Sequence, residues 1–115
     1  MSEYSDPRFE IMRRYTPTMR PYVEITDDIG KYHAQVEGWS RDEIFIAYPP
    51  KVVSGPYNDE RVVKWVPVAS AKRIRRADSI WASTEDNYDW HSEEDKKIEY
   101  RADPWTVYLQ EEGGN

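Results

Sequence analysis

The sequence predicts a mainly β domain, β-rich α+β in class. The expected form is a small five-stranded barrel or rolled antiparallel sheet, with an N-terminal helix before it and a C-terminal extension packed on it. Three observations point there. Rings supply the bulk, with five Trp, nine Tyr and two Phe in 115 residues. Leucine occurs only at Leu109, whereas helical bundles draw on Leu and Ala. Several segments alternate with the two-residue period of a half-buried strand, and they are rich in the Val, Ile, Tyr and Trp that strands favour.

In chain order, "SDPRFEIMRRY" (Ser5–Tyr15) reads as a short helix. Ser5 or Asp6 can cap it, Pro7 suits its first turn, and Phe9, Met12 and Tyr15 form one stripe. Pro17 and Pro21 stop it. "YVEIT" (Tyr22–Thr26) alternates, and "DDIGK" (Asp27–Lys31) turns the chain with Gly30 free to take positive φ. "KYHAQVEGW" (Lys31–Trp39) puts Tyr32, Ala34 and Val36 on one face and His33, Gln35 and Glu37 on the other. A tight connection leads into "DEIFIAYP" (Asp42–Pro49), with Ile44, Ile46 and Tyr48 aligned. A long turn-rich loop, Pro50–Asp59, carries Tyr57 near its tip. "RVVKWVP" (Arg61–Pro67) is expected to bury Val63 and Trp65 opposite Lys64. One helical turn should follow Pro67, then a closing strand with Ile74 inward and its cations mostly outward. "SEEDKKIEY" (Ser92–Tyr100) suits a short helix with Ser92 as cap and acids before lysines, and "WTVYL" (Trp105–Leu109) suits a last strand. The expected division is residues 1–21 as helix and linker, 22–77 as barrel core and 78–115 as an acidic aromatic extension, all one domain.

Net charge is −6, unevenly spread. Residues 1–30 hold four Lys/Arg against six Asp/Glu, 31–77 hold nine against five, and 78–115 hold three against eleven. A basic middle therefore meets an acidic end. The cations Lys72, Arg73, Arg75 and Arg76 could grip phosphates or an acidic partner. On net charge, pairing with the chain's own acidic tail is the preferred reading. Glu93, Glu94 and Asp95 are the candidate acidic face.

Cysteine is absent, which removes disulfides, thiolate nucleophiles and cysteine zinc sites. His33 and His91 stand in separate segments without ligand spacing. There is no phosphate-cradling glycine loop, and "EDNYD" (Glu85–Asp89) lacks the glycine and distal glutamate of a calcium loop. No catalytic residue, metal or cofactor is expected. The start has no signal-like apolar core and the apolar runs are short, so a cytoplasmic protein without membrane spans is expected. The rings of Trp39, Tyr48, Tyr57 and Trp65, at strand ends or in the long loop, are the candidate partner-binding residues.

"HAQVEGW", "DEIFIAYP" and "VVKWVPVASAKRI", in that order, resemble the small barrel of Tudor, chromo-barrel and Src-homology-type domains over Lys31 to about Arg76. The resemblance implies a hairpin, a third strand after a loop, one tight helical turn and a closing strand. It also implies an aromatic cage for methylated lysine or arginine, with Trp39, Tyr48 and Trp65 at roughly matching positions. The stretch "VKWVP…RRADSIW" is similar to small proteins of actinobacterial phages. The function expected is a non-enzymatic protein-interaction module, acting on a host or defence protein if phage-encoded. The alternatives are a nucleic-acid-binding barrel using the basic strand 72–76 and an acidic nucleic-acid mimic using residues 78–115.

Overall fold

The computed structural model describes residues 7–49, 61–99 and 103–106. The elements are α1 (Arg8–Ile11), β1 (Arg13–Arg14), β2 (Tyr22–Asp27), β3 (Gly30–Ser40), β4 (Glu43–Tyr48), β5 (Val62–Pro67), β6 (Ala71–Ile74) and α2 (Tyr88–Asp95), with tight 3-10 turns at Pro17–Met19, Val68–Ser70, Arg76–Asp78 and Pro104–Thr106. The fold is mainly β, as expected. The strands form one six-stranded antiparallel sheet in the order β5-β4-β3-β2-β6, with β1 paired to β3. Among the described strands the sheet is not closed, because β5 and β6 stand at its two ends. It is nevertheless strongly curled. In a flat sheet β5 and β2 would lie about 14 Å apart, beyond the reach of a lysine side chain. Yet Lys64 on β5 meets Asp27 on β2 at 3.0 Å.

The inner face carries Val23, Ile25, Ala34, Val36, Ile44, Ile46 and Val66, joined by Val68 from the turn after β5 and by Trp105. Tyr15, Tyr32, Trp39, Tyr48 and Ala71 pack around that cluster. Val36, Ile44 and Ile46 are buried as the alternation predicts.

Two strands present faces opposite to those expected. On β5, Ile44 pairs with Val66 and Phe45 with Trp65. Val66 and Lys64 therefore face inward, and Val63 and Trp65 outward; Val63 is 44% exposed and Trp65 only half-buried. "VVKWV" is apolar on both faces, so alternation alone does not choose between them. Lysine tolerates the inner face because its stem is apolar and its ammonium reaches the rim. On β6, Val23 pairs with Arg73 and Tyr22 with Ile74, which turns Arg73 inward and leaves the half-buried Ile74 on the outer face.

The N-terminal helix is shorter than expected, four residues. Arg13 and Arg14 leave it to pair with Trp39 and Gly38. So short a helix has little stability of its own, and strand hydrogen bonds win. Gly38 permits the approach: a Cβ there would lie 2.4 Å from the Arg13 carbonyl oxygen. A register shift between Val36 and Gly38 bends β3 at that point.

α2 begins earlier than expected, because Asn87 rather than Ser92 caps it by accepting the Trp90 N–H. The extension packs on the sheet, as predicted. Trp105 is 1% exposed in the core, and Trp81 lies against Tyr22, its indole N–H donating to the His33 carbonyl at 2.8 Å. Pro104–Thr106 forms a 3-10 turn where the sequence suggests the start of a strand. The remainder of that strand, the loop at 50–59 and the caps Ser5 and Asp6 lie outside the described residues. Among the described residues, no helix is long and apolar enough to cross a membrane.

Candidate functional site

The feature with the most definite chemistry is a corner where β2 turns into β3. Asp27 Oδ1 accepts the Ile29 N–H at 3.0 Å, and Gly30 takes φ +118°. This side-chain-to-backbone turn returns the chain so that Tyr32 pairs with Ile25 on the inner face. Tyr48, at the end of β4, brings its ring centroid to 4.7 Å from that of Tyr32. Lys64 comes across from β5. Its Nζ lies 5.1 Å from the Tyr32 ring centroid and 5.8 Å from that of Tyr48. It donates to Asp27 Oδ2 at 3.0 Å, and the Tyr32 hydroxyl donates to the same oxygen at 2.6 Å.

The corner is thus two ring faces and one carboxylate around an ammonium ion. The Tyr32 hydroxyl, then Lys64 and the turn N–H, hold the Asp27 carboxyl below the ordinary range. Burial, and then the bond to Asp27, push the Tyr32 phenol up to about 12. The Tyr32 hydroxyl first, then Asp27, raise the pKa of Lys64. The carboxylate is therefore ionised, and both the phenol and the ammonium protonated, at neutral pH. Side-chain exposures of 34% for Lys64 and 21% for Asp27 leave the ion pair open to solvent. Each ring contributes about 0.5–1 kcal/mol to holding a cation at such an exposure.

Among the described aromatic candidates, Tyr48 alone belongs to this corner. Trp39 packs on Tyr15 with centroids 5.1 Å apart. Trp65 lies on the outer face with Phe45 at 5.1 Å and Phe9 at 5.5 Å, under the Arg8 guanidinium at 4.7 Å. Trp39, Tyr48 and Trp65 therefore do not share one patch, and Tyr57 lies outside the described residues. Sequence reasoning missed Asp27, Tyr32 and Lys64 as a group. The available signal was a lone lysine amid apolar strand residues, which becomes informative only once the face of β5 is known.

Three of the four basic candidates pair within the chain. Arg73 meets Asp103, Arg75 meets Asp78 at 2.8 Å, and Arg76 meets Asp86 at 2.9 Å. Lys72 is exposed, across the ladder from Glu24. The acidic candidates point in different directions, as consecutive helical residues must. Glu93 is exposed beside Lys96; Glu94 is 8% exposed and faces Lys97; Asp95 accepts the Arg76 N–H at 3.1 Å.

Both histidines are engaged. His33 Nδ1 accepts the Ile80 N–H at 3.0 Å, with Nε2 3.4 Å from Glu24. His91 Nε2 lies 3.2 Å from the Thr18 carbonyl. No cluster of three or more acidic or histidine ligands suited to a metal occurs among the described residues.

No family model, curated protein or solved structure significantly matches this chain.

Proposed function

We propose that the chain is a non-catalytic protein-interaction module that takes a cationic side chain of a protein partner at the Asp27–Tyr32–Tyr48 corner. The observation that carries this is the Lys64 ammonium, seated over both rings and bonded to Asp27. That intramolecular contact supports reading the corner as one that accepts a cation. The strand order β5-β4-β3-β2-β6, with a tight turn joining β5 to β6, supports reading the curled sheet as a Tudor-like barrel, in which aromatic corners of this kind hold cations. The likeness of Val63–Pro67 and Arg75–Trp81 to actinobacterial phage proteins makes a host protein the first partner to test.

The test is a two-dimensional NMR titration of the wild-type protein and its Lys64→Met variant with short peptides centred on lysine or arginine, and on glutamate as control. Shifts centred on Tyr32, Tyr48 and Asp27, absent with the glutamate peptide and in Tyr48→Ala, support the proposal. If no cationic peptide shifts these resonances in either protein at millimolar concentration, the proposal falls.

A further inference from the structure

We infer that the corner is a lysine-exchange site in which Lys64 is the resident ligand, displaced by a partner's ammonium that keeps at least one N–H. This rests on the cation-binding reading above and adds the ligand class and the competitor.

The Asp27 carboxylate is already divided. Oδ1 is committed to the Ile29 N–H that shapes the β2–β3 turn. Oδ2 takes the Tyr32 hydroxyl and the Lys64 ammonium. A guanidinium binds a carboxylate best through both oxygens side by side. At Asp27 a guanidinium would have to share Oδ1 with the Ile29 N–H and Oδ2 with the Tyr32 hydroxyl, filling every lone pair in one fixed plane, so arginine is the poorer fit. An ammonium is a compact charge that needs one oxygen. The Nζ–Oδ2 separation of 3.0 Å is that of an N–H donor bond. Mono- and dimethylated lysine keep such a donor; trimethylated lysine keeps the ring attraction but loses the carboxylate bond.

Lys64 is well suited to leave. Its ammonium is held at the rim of the sheet by ring contacts and one partly exposed ion pair. Interactions of this strength change affinity by about tenfold, enough to suppress weak partners without blocking a good one. Removing the ammonium while keeping an apolar stem, as in Lys64→Met, should vacate the corner.

The experiment measures Kd by NMR for four otherwise identical peptides, centred on lysine, dimethyllysine, trimethyllysine or arginine, with the wild-type protein and Lys64→Met. Lys64→Gln serves as the second variant, and the dispersed spectrum of each variant confirms its fold. The lysine and dimethyllysine peptides should bind Lys64→Met about tenfold more tightly than wild type, and more tightly than the other two peptides. Equal affinity for wild type and both variants would overturn displacement while leaving cation binding intact. Arginine or trimethyllysine binding as tightly as lysine would overturn the selectivity. Loss of binding to every peptide in all three proteins would instead remove the cation-binding reading itself.

Discussion

The hydroxyl of Tyr22, on β2, donates to Oδ2 of Asp86, 64 residues further along the chain. The same hydroxyl accepts the Ser83 N–H at 2.7 Å. Asp86 also receives Gln35 Nε2 at 3.2 Å and Arg76 Nε at 2.9 Å, and its side chain has no exposed surface. Arg61 extends the network, donating to Gln35 at 3.0 Å and to Ser83 Oγ at 3.3 Å. This polar layer, rather than surface charge, fastens the extension to the outer face of the sheet.

Asp86→Ala should therefore be severe. It leaves a partly buried guanidinium and a buried phenol without their acceptor, a loss of roughly 3–5 kcal/mol. Tyr22→Phe removes a single hydroxyl and should cost about 1–2 kcal/mol. Urea unfolding measures both. A loss under about 1 kcal/mol for Asp86→Ala would mean that water replaces the carboxylate.

Acid should unfold the protein through its carboxylates. Burial works to raise the Asp86 pKa, but hydrogen bonds from His91, Tyr22 and Arg76 outweigh it and hold the group low. Asp27 is low through Tyr32 first, and Asp78 through Arg75 first. A carboxylate depressed in the folded state adds stability above its unfolded value of about 3.9 and loses it as pH falls through the folded value. Stability should thus hold steady through mildly acidic pH and drop below about pH 4. Asp86→Asn should flatten that drop, as read from urea midpoints across the acid range.

Trp105→Ala should cost roughly 3–5 kcal/mol, since the ring is 1% exposed within the core. Trp65→Ala should cost clearly less, because its ring is already partly in water. A chain ending at Ala77 loses Trp81, Asp86 and Trp105 together and should unfold without cooperativity or aggregate. In contrast, about 1 M salt should barely move the melting temperature of the full chain, because ring burial outweighs exposed ion pairs.

Gly38→Ala should destabilise by about 1–3 kcal/mol, because the new methyl group meets the Arg13 carbonyl and the Met12 side chain. The damage should be local to β1. Amide exchange at Tyr15, whose N–H donates to the Glu37 carbonyl at 2.9 Å, reads it directly. Unchanged protection at Tyr15 would show that β1 slides without unpairing.

The order of the elements was legible along the chain from Tyr22 to Ile74. Alternation, the turn residues of Asp27–Gly30 and Pro67 locate four strands, a tight turn and a fifth strand, and these are local properties of the backbone and its side-chain period. The charge asymmetry likewise made pairing between Arg73, Arg75 or Arg76 and the tail a readable option. Tertiary structure decided the rest. "VVKWV" is apolar on both faces, so only its register with Ile44–Tyr48 turns Lys64 inward and Trp65 outward. Asp27, Tyr32, Tyr48 and Lys64 become neighbours only because the sheet curls far enough for β5 to reach β2. The acidic stretch at 86–95 becomes an anchor rather than an open face because Asp86 is buried against Tyr22 and Arg76. Each of these depends on long-range contacts that close over many residues, and no local periodicity encodes which partner a side chain will meet across such a distance.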